Sequence, residues 1–559
     1  MTRPRSTRAK GALHAPRTWR RRIAMLAAPL MMAGMVTALA ATVGLAPASA
    51  ATGSPCGATI NPVTCENRQP GTPQSVWDVT GAGDPSIQGF TTDISVNVGG
   101  TVNFKIDTNA AHYTIDIYRL GYYGGLGARK VTSISPSATL PQVQPNCLTD
   151  PSVTLVDCGD WGVSASWAVP STSVSGVYIA HLTRTDTGGE SLIPFIVRND
   201  ASTADIVYQT SDPTWEAYNR YGDADFYTGS TTNLCDSPSR AREISYNRPF
   251  ATRGDNSGRD FLFSNEYPTI RFLEENGYDV TYISGVDTDR YGATQLKNHK
   301  VFMSVGHDEY WSQAQRTNVE NARDAGVNLM FLSGNEVFWH TRYGPSIDGT
   351  NTAYRTLICY KETWDNAPTD PSGEATATWR DPRFSAAPGG SNPENALTGT
   401  MYMANSDDLP LSVTAAEGKT RLWRNTGLSS MSGGSTDVAQ NIVGYESDED
   451  LDNGFRNSGQ VDLSTTVGAS PQESIDFGQF TAPGTTTHHI TLYRAASGAL
   501  VFSAGTIQWG WGLDATHDGT QQAASPQMQQ AMVNLYADMH VQPQTLLAGL
   551  VAATASTDT

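Results

Sequence analysis

The chain has 559 residues and a formal net charge of −18, from 55 acidic and 37 basic side chains. Eight basic residues and no acidic ones precede residue 51, so the rest of the chain is more acidic still. Such a surface repels phosphate groups, which argues against nucleic acids and anionic membranes as partners. A chain of this length is expected to form two or three domains with large apolar cores.

The first fifty residues have the pattern of an export signal. Their positive charges are followed by an apolar stretch over residues 23–46 and by small residues at 48–50. The arginines at 20–22 resemble a twin-arginine signal of which half the usual motif is present. We predict a twin-arginine-like signal peptide over 1–50 and a secreted, extracellular protein that is not held in a membrane after signal removal. The alternative is that the apolar stretch is retained as a membrane anchor.

Six cysteines follow the signal, at positions 56, 65, 147, 158, 235 and 359. None has the spacing of a metal site, and cysteines of exported chains usually form disulfides. The first four form two pairs that are close in sequence, which predicts the disulfides Cys56–Cys65 and Cys147–Cys158. Elimination leaves Cys235 to pair with Cys359.

The patterns change along the chain in a way that predicts its domains. Residues 51–84 are rich in Gly, Pro, Thr and Asn and indicate an extended lead-in segment. Short alternating runs with regular turn signals predict an immunoglobulin-like β-sandwich over 85–200. Strands then alternate with helices, which predicts an α/β domain over 201–545. Within it, residues 385–480 lose the helical period and predict a β-rich insertion. Residues 546–559 are expected to be a tail.

The segment from His299 to His340 has the pattern of one βαβ unit. Two apolar, strand-like runs, 300–305 and 327–332, flank a helix that the capping pattern Ser312-x-x-Gln opens. Two strands joined by one helix are expected to be parallel, with a right-handed crossover. The turns after both strands should then lie side by side, at the sheet edge where α/β proteins bind ligands. We therefore predict the functional site there.

The turn after the first strand carries His307, Asp308, Glu309 and Tyr310, and neither a thiol nor a serine. The chain also lacks the G-x-S-x-G and H-E-x-x-H motifs, so acyl-enzyme chemistry by the known routes is not expected. Imidazole, carboxylate and phenol groups, next to Glu336 of the second turn, suit a hard cation or ferric iron. The alternative is that the aromatic residues of this turn only cap the sheet and its acids face water.

The first turn reads GHDEYWS from Gly306, and the second has the pattern G-N-E-x-x-W from Gly334. Together these motifs resemble the C-terminal family of the N,N-dimethylformamidase large (beta) subunit, over about 204–541. The preceding sandwich also fits the layout of that family. The resemblance implies an α/β amidotransferase-like (flavodoxin-like) core and an amidase in which two tyrosines and one glutamate hold one iron.

The resemblance also implies site residues, which are carried over one by one. Tyr310 best matches one of the iron-binding tyrosines, and the setting of Glu374 resembles that of the glutamate. Where the second tyrosine is expected the chain has Ile270, but Tyr267 lies one turn earlier on the same helix face and is the candidate. His307 or Glu309 would carry a proton to the leaving amine.

Two functions from different classes remain. The first is a secreted amidase-like hydrolase, dependent on one iron, that cleaves a C–N amide bond of a small-molecule substrate. The second is a non-catalytic extracellular or carbohydrate-binding protein on a degenerate scaffold. A calcium site is a lesser alternative, because Asp448–Gly459 resembles a calcium loop but departs from the motif at its end, and an acidic surface turn is the favoured interpretation.

Overall fold

The computed structural model describes residues 56–57, 59–227, 240–384 and 392–555. The predicted signal peptide lies outside them. Within these ranges, no helix is both long enough and apolar enough to cross a membrane.

Two sheets that share one apolar core form the N-terminal part of the molecule. A three-stranded sheet has the order β1-β3-β8, a five-stranded sheet has the order β2-β10-β9-β4-β5, and β6 pairs with β7. Inward-facing side chains such as Phe104, Ile115, Trp167 and Phe195 form the buried cluster between the two sheets. The predicted strand-rich region is therefore present, and its immunoglobulin-like classification stays a prediction. The elements are α1 Pro62–Glu66, α2 Gln74–Trp77, β1 Ile87–Thr91, β2 Ser95–Asn97, β3 Thr101–Thr108, β4 Tyr113–Leu120, β5 Ala128–Ile134, β6 Leu148–Asp150, β7 Leu155–Asp157, β8 Ala165–Ala168, β9 Gly176–Arg184 and β10 Glu190–Arg198.

Strands and helices alternate in the first half of the remaining chain, and long strands fill most of the second half. The elements are β11 Ile206–Thr210, α3 Asp212–Ala217, β12 Glu243–Ser245, α4 Leu262–Asn265, α5 Tyr267–Glu275, β13 Val280–Ser284, α6 Gly285–Gln295, β14 Val301–Gly306, β15 Tyr310–Ser312, α7 Gln313–Asp324, β16 Asn328–Ser333, β17 Trp339–Gly344, β18 Thr356–Ile358, α8 Glu362–Asp365, β19 Met401–Thr414, β20 Ser435–Glu449, β21 Val461–Ile475, β22 Phe480–Arg494, β23 Leu500–Ser503 and α9 Pro526–Asp538.

One nine-stranded sheet runs through this region, in the order β13-β11-β14-β16-β23-β22-β20-β19-β21. Its first five strands are parallel, and the other four pair antiparallel. The region predicted as an insertion therefore continues the same sheet, because β22 pairs along β23. The protein as a whole is β-rich, with several sheets and few helices. The α/β description fits the parallel strands, and the flavodoxin-like classification stays a prediction.

The predicted βαβ unit is confirmed. Strands β14 and β16 pair in parallel, with Val301 opposite Asn328, and α7 connects them. Ser312 is the N-cap of α7, and its hydroxyl accepts a hydrogen bond from the backbone N–H of Gln315 at 3.0 Å. Only this half of the capping box forms, because the Gln315 side chain donates instead to Gln209. Parallel pairing places the carboxyl ends of β14 and β16 on one edge of the sheet.

Replacing Ser312 by alanine should lower the free energy of unfolding by about 1 kcal/mol, since an N-cap hydroxyl contributes on that order. The variant also loses the hydrogen bond that Ser312 donates to Asp289. Urea unfolding followed by circular dichroism measures the change, and Ser171→Ala is the matched control because Ser171 is exposed and caps no helix. Equal stability of the two variants would contradict the capping role.

Two of the predicted disulfides are present, Cys56–Cys65 and Cys147–Cys158. The third expectation needs correction, because Cys359 is a buried free thiol, and Cys235 lies outside the described residues. Burial raises the pKa of the Cys359 thiol to about 12. Its sulfur lies 3.6 Å from the carbonyl oxygen of Thr376, inside the core. Pairing by elimination assumed that every cysteine of an exported chain is oxidised, and a thiol buried in apolar surroundings does not follow that assumption.

Candidate active site

The carboxyl end of β14 positions the first group of functional side chains. The strand ends at Gly306, whose φ is +99°, and a Cβ there would lie 2.8 Å from the Cγ of Glu266. Glycine is therefore required both by the backbone conformation and by the close approach. The sharp turn directs the next residues, His307 and Glu309, into the buried edge of the sheet.

His307, Glu309 and Glu446 converge at this edge. The Nε2 atom of His307 lies 2.6 Å from a carboxylate oxygen of Glu446 and 3.5 Å from one of Glu309. One ligand atom from each residue lies within 4.8 Å of the others, and all three side chains are buried. The Nδ1 atom of His307 contacts a carboxylate oxygen of Asp260 at 3.1 Å, which orients the ring. Across the described ranges, this is the one cluster of such residues that could hold a metal ion.

The charge balance of this cluster favours a cation. Burial by itself lowers the pKa of His307, but the carboxylates of Glu446, Asp260 and Glu309 outweigh burial and raise that pKa well above its ordinary value. The pKa of Glu309 is raised to about 7, first by burial and then by the nearby Glu446 carboxylate, while Lys361 and His307 act in the opposite direction. Several carboxylates thus surround one imidazole in a buried place, where unpaired negative charge is costly.

A chain of hydrogen bonds leads from Lys361 to the cluster. The ammonium group of Lys361 donates to the hydroxyl of Tyr310 at 2.7 Å, and Tyr310 donates to the hydroxyl of Tyr227 at 2.5 Å. Tyr227 in turn donates to the carboxylate of Glu309 at 2.7 Å. Burial raises the pKa of both phenols well above the ordinary value, so they remain neutral hydrogen-bond donors.

The cluster opens onto a cavity of about 520 Å³. Its floor includes Asp260, Glu309 and Glu446, and its walls combine aromatic rings with amide side chains. Part of one wall comes from the β21–β22 hairpin, which belongs to the antiparallel part of the sheet. The wall residues include Phe338, Trp339, Trp364, Tyr402, Phe480, Asn335, Asn405 and Gln472.

The structure does not bring the three predicted iron ligands together. Tyr310 lies beside the cluster, but Tyr267 donates to the backbone oxygen of Gly127 in the N-terminal region and lines another, smaller cavity. The carboxylate of Glu374 lies 3.4 Å from His340 and is 46% exposed, in a third cavity. Tyr267 shares a helix face with Ile270, as expected, but its ring packs against Trp77 and Phe263 rather than at the site edge.

The predicted catalytic pair, His307 and Glu309, does lie at the cluster. Glu336 is a buried neighbour that accepts from Ser304 at 2.8 Å and does not belong to the cluster. In the segment that resembles a calcium loop, Asp448 accepts from the backbone of Asn335, so protein groups already use its carboxylate. The calcium alternative therefore gains no support.

Sequence reasoning missed Glu446, Asp260, Tyr227 and Lys361. Glu446 lies in β20, more than a hundred residues beyond His307, and no spacing rule connects the two. The only signals were local: a carboxylate next to Tyr445, and a lysine two residues after Cys359.

The chain is similar to a known protein family. The family model for N,N-dimethylformamidase beta subunit-like, C-terminal proteins matches residues 114–523, which is most of the chain. The chain belongs to this family. The match begins within β4, earlier than the motifs predicted, so the family model includes much of the N-terminal sheets. No curated protein matches the chain.

The motifs of the N,N-dimethylformamidase beta subunit-like family implied an iron ligand at Tyr310, and His307 is the other candidate ligand. At Tyr310 the fit is poor, because the Lys361 ammonium group donates to its oxygen and its positive charge opposes a second cation there. At His307 the fit is good, because its buried Nε2 atom makes no hydrogen bond of acceptable geometry although a carboxylate lies 2.6 Å away. An imidazole with two carboxylates suits first-row transition metals, iron among them.

Proposed function

We propose that this protein is a metal-dependent hydrolase that cleaves C–N amide bonds. The observation that carries the proposal is the convergence of His307, Glu309 and Glu446, because the two glutamates line a cavity large enough for a small molecule. The family supports the amide class of substrate. The metal would be held by these three residues, in place of the two tyrosines and glutamate that the motifs first implied.

A metal bound there would polarise a substrate carbonyl and lower the pKa of a water molecule. The side chains of the protein perform the remaining tasks. Asp260 holds the Nδ1 side of the His307 ring, so that Nε2 faces the two glutamates. Glu309, through the carboxylate oxygen that does not hold the metal, would pass a proton from water to the leaving amine. Tyr227 and Tyr218 orient its carboxylate, at 2.7 and 3.3 Å.

We also propose that the protein acts outside the cell. Two disulfides support this location, because such bonds persist in oxidising compartments. The cavity has aromatic walls and is larger than a dimethylated formamide requires, so the substrate is expected to carry a larger group on the acyl or the amine side.

The test uses the protein expressed with its predicted signal segment in cells that export it. The exported form, expected to begin at residue 51, is then purified. Elemental analysis should show stoichiometric transition metal. Incubation with a panel of amides, from formamides to aromatic N-acyl amines and N-acetylated sugars, should release amine, detected with an amine-reactive fluorophore. A chelator should abolish release, and adding back the metal should restore it. A protein that retains no metal and releases no amine would contradict the proposal and favour the non-catalytic alternative, in which one of these amides binds unchanged.

A further inference from the structure

Lys361 is a fully buried lysine whose ammonium group lies among aromatic rings. Its Nζ atom is 3.8 Å from the ring centre of Tyr227, 4.2 Å from Trp364 and 4.3 Å from Trp339. Such rings attract a cation through their faces, most strongly where water is excluded. The cage therefore stabilises the charged form of Lys361 at this position, close to the candidate metal centre.

The backbone of Lys361 supports a specific role. Its φ of +53° and ψ of +49° are left-handed, a conformation that non-glycine residues adopt at a cost. Residues held in such conformations concentrate at functional sites, where the surrounding structure determines them. From this backbone the long side chain extends into the cage, and it is fully buried there.

In this chain of hydrogen bonds, the donors and acceptors can be ordered in only one direction, from Lys361 to Glu309. An ammonium group only donates, an ionised carboxylate only accepts, and each phenol has a single proton to donate. Because Lys361 donates to Tyr310, the proton of Tyr310 is free to point to Tyr227, and the proton of Tyr227 then points to Glu309. With a cation at one end and a carboxylate at the other, each hydrogen bond favours the orientation of the next.

We infer that Lys361 is a positioning residue for the metal centre, which fixes the Glu309 carboxylate through Tyr310 and Tyr227. This inference rests on the proposed function for its metal readout. Some residues form hydrogen bonds to a metal ligand but do not contact the metal. Replacing such a residue typically weakens the binding of the metal. Two tyrosines separate Lys361 from the ligand Glu309, and Tyr227 contacts that ligand directly.

The first test measures binding of Mn²⁺ and Zn²⁺ by titration calorimetry. Lys361→Met should weaken binding roughly 10- to 100-fold, the range found for residues that support metal ligands. Lys130→Met is the matched control, because Lys130 is exposed on the N-terminal sheets and should leave affinity unchanged. Unchanged affinity in Lys361→Met would overturn the inference.

A double-mutant cycle separates positioning from general destabilisation. If Lys361 acts through Tyr227, Lys361→Met should have little further effect on affinity in a Tyr227→Phe background. Additive effects would instead show that the lysine acts by another route. If Lys361→Met does not fold, Tyr310→Phe breaks the same chain while the buried charge stays in place, and it should show the same loss of affinity. Normal affinity in that variant would also overturn the inference.

Crystal structures of the metal-free wild type and Lys361→Met supply a readout that needs no metal. The hydroxyl of Tyr227 should leave hydrogen-bonding distance of Glu309 in the variant, and identical positions would refute the positioning role. A wild-type protein that binds neither metal would refute the proposed metal centre. The structures would still decide the role of Lys361.

Discussion

Replacing His307 by alanine should lower the affinity for Mn²⁺ and Zn²⁺ by more than about 100-fold, because a lost ligand costs more than the lost supporting group that already costs 10- to 100-fold. His307 is the only nitrogen donor of the cluster, and its Nε2 atom lies within 3.5 Å of both glutamates. Without the imidazole, only the two carboxylates remain to hold the metal. Titration calorimetry with the metal-free protein measures the loss.

His112→Ala is the control for this experiment, since His112 is exposed and lies in the N-terminal region. Glu446→Gln gives a second, independent test. It should weaken metal binding strongly. It should also lower the melting temperature of the metal-free protein, because it removes the carboxylate that lies 2.6 Å from the buried His307 imidazole. A purely structural His307–Glu446 contact would lower the melting temperature in the same way but leave the metal affinity unchanged.

The Glu274→Gln variant should lose about 3–5 kcal/mol of stability, the usual cost of leaving one charge of a buried ion pair without its partner. Glu274 of α5 receives two hydrogen bonds from the Arg119 guanidinium of β4, at 2.7 and 2.8 Å, and both side chains are 0% exposed. Tyr282 and Asn67 also donate to this carboxylate, at 2.8 and 2.7 Å. The pair thus connects the N-terminal sheets to the region that carries the site.

Urea unfolding followed by tryptophan fluorescence measures this loss. Asp116→Asn is the matched control, since Asp116 lies in β4, the strand that carries Arg119. The Asp116–Lys130 ion pair is partly exposed and should contribute less than about 1 kcal/mol to stability. An apolar replacement of both partners, Arg119→Met with Glu274→Leu, should recover part of the stability, since it leaves no uncompensated charge. A loss below that of Asp116→Asn would show that the pair is not needed for stability.

Local chemistry explains why part of the fold could be predicted. Ser312 caps α7 through an N–H three residues away, and Gly306 and Gly326 have the positive φ angles that turns at these places require. Cys147 and Cys158 are close in sequence, so one short loop closes their disulfide. Each of these features depends on atoms within about a dozen residues, and propensity and spacing rules describe that range.

Long-range pairing explains what could not be predicted. The β-rich segment between 401 and 494 alternates like an independent lobe, and the pairing of β22 with β23 joins it to the parallel strands. That joining brings Glu446 to His307. Likewise, the helix that begins at Tyr267 was expected at the site, but the Tyr267 ring packs against Trp77 of α2 and Phe263 of α4 instead.

The sequence by itself determined the family, the βαβ unit, two disulfides and the place of His307 and Glu309 after a buried strand. Those features follow from neighbouring residues and from motifs that are contiguous in the chain. The tertiary structure alone decided the partners: Glu446 and Asp260 from distant segments, and the Lys361–Tyr310–Tyr227 chain behind Glu309. Ligand sets depend on distances of a few ångströms between groups far apart in sequence, and those distances are set by sheet order and packing.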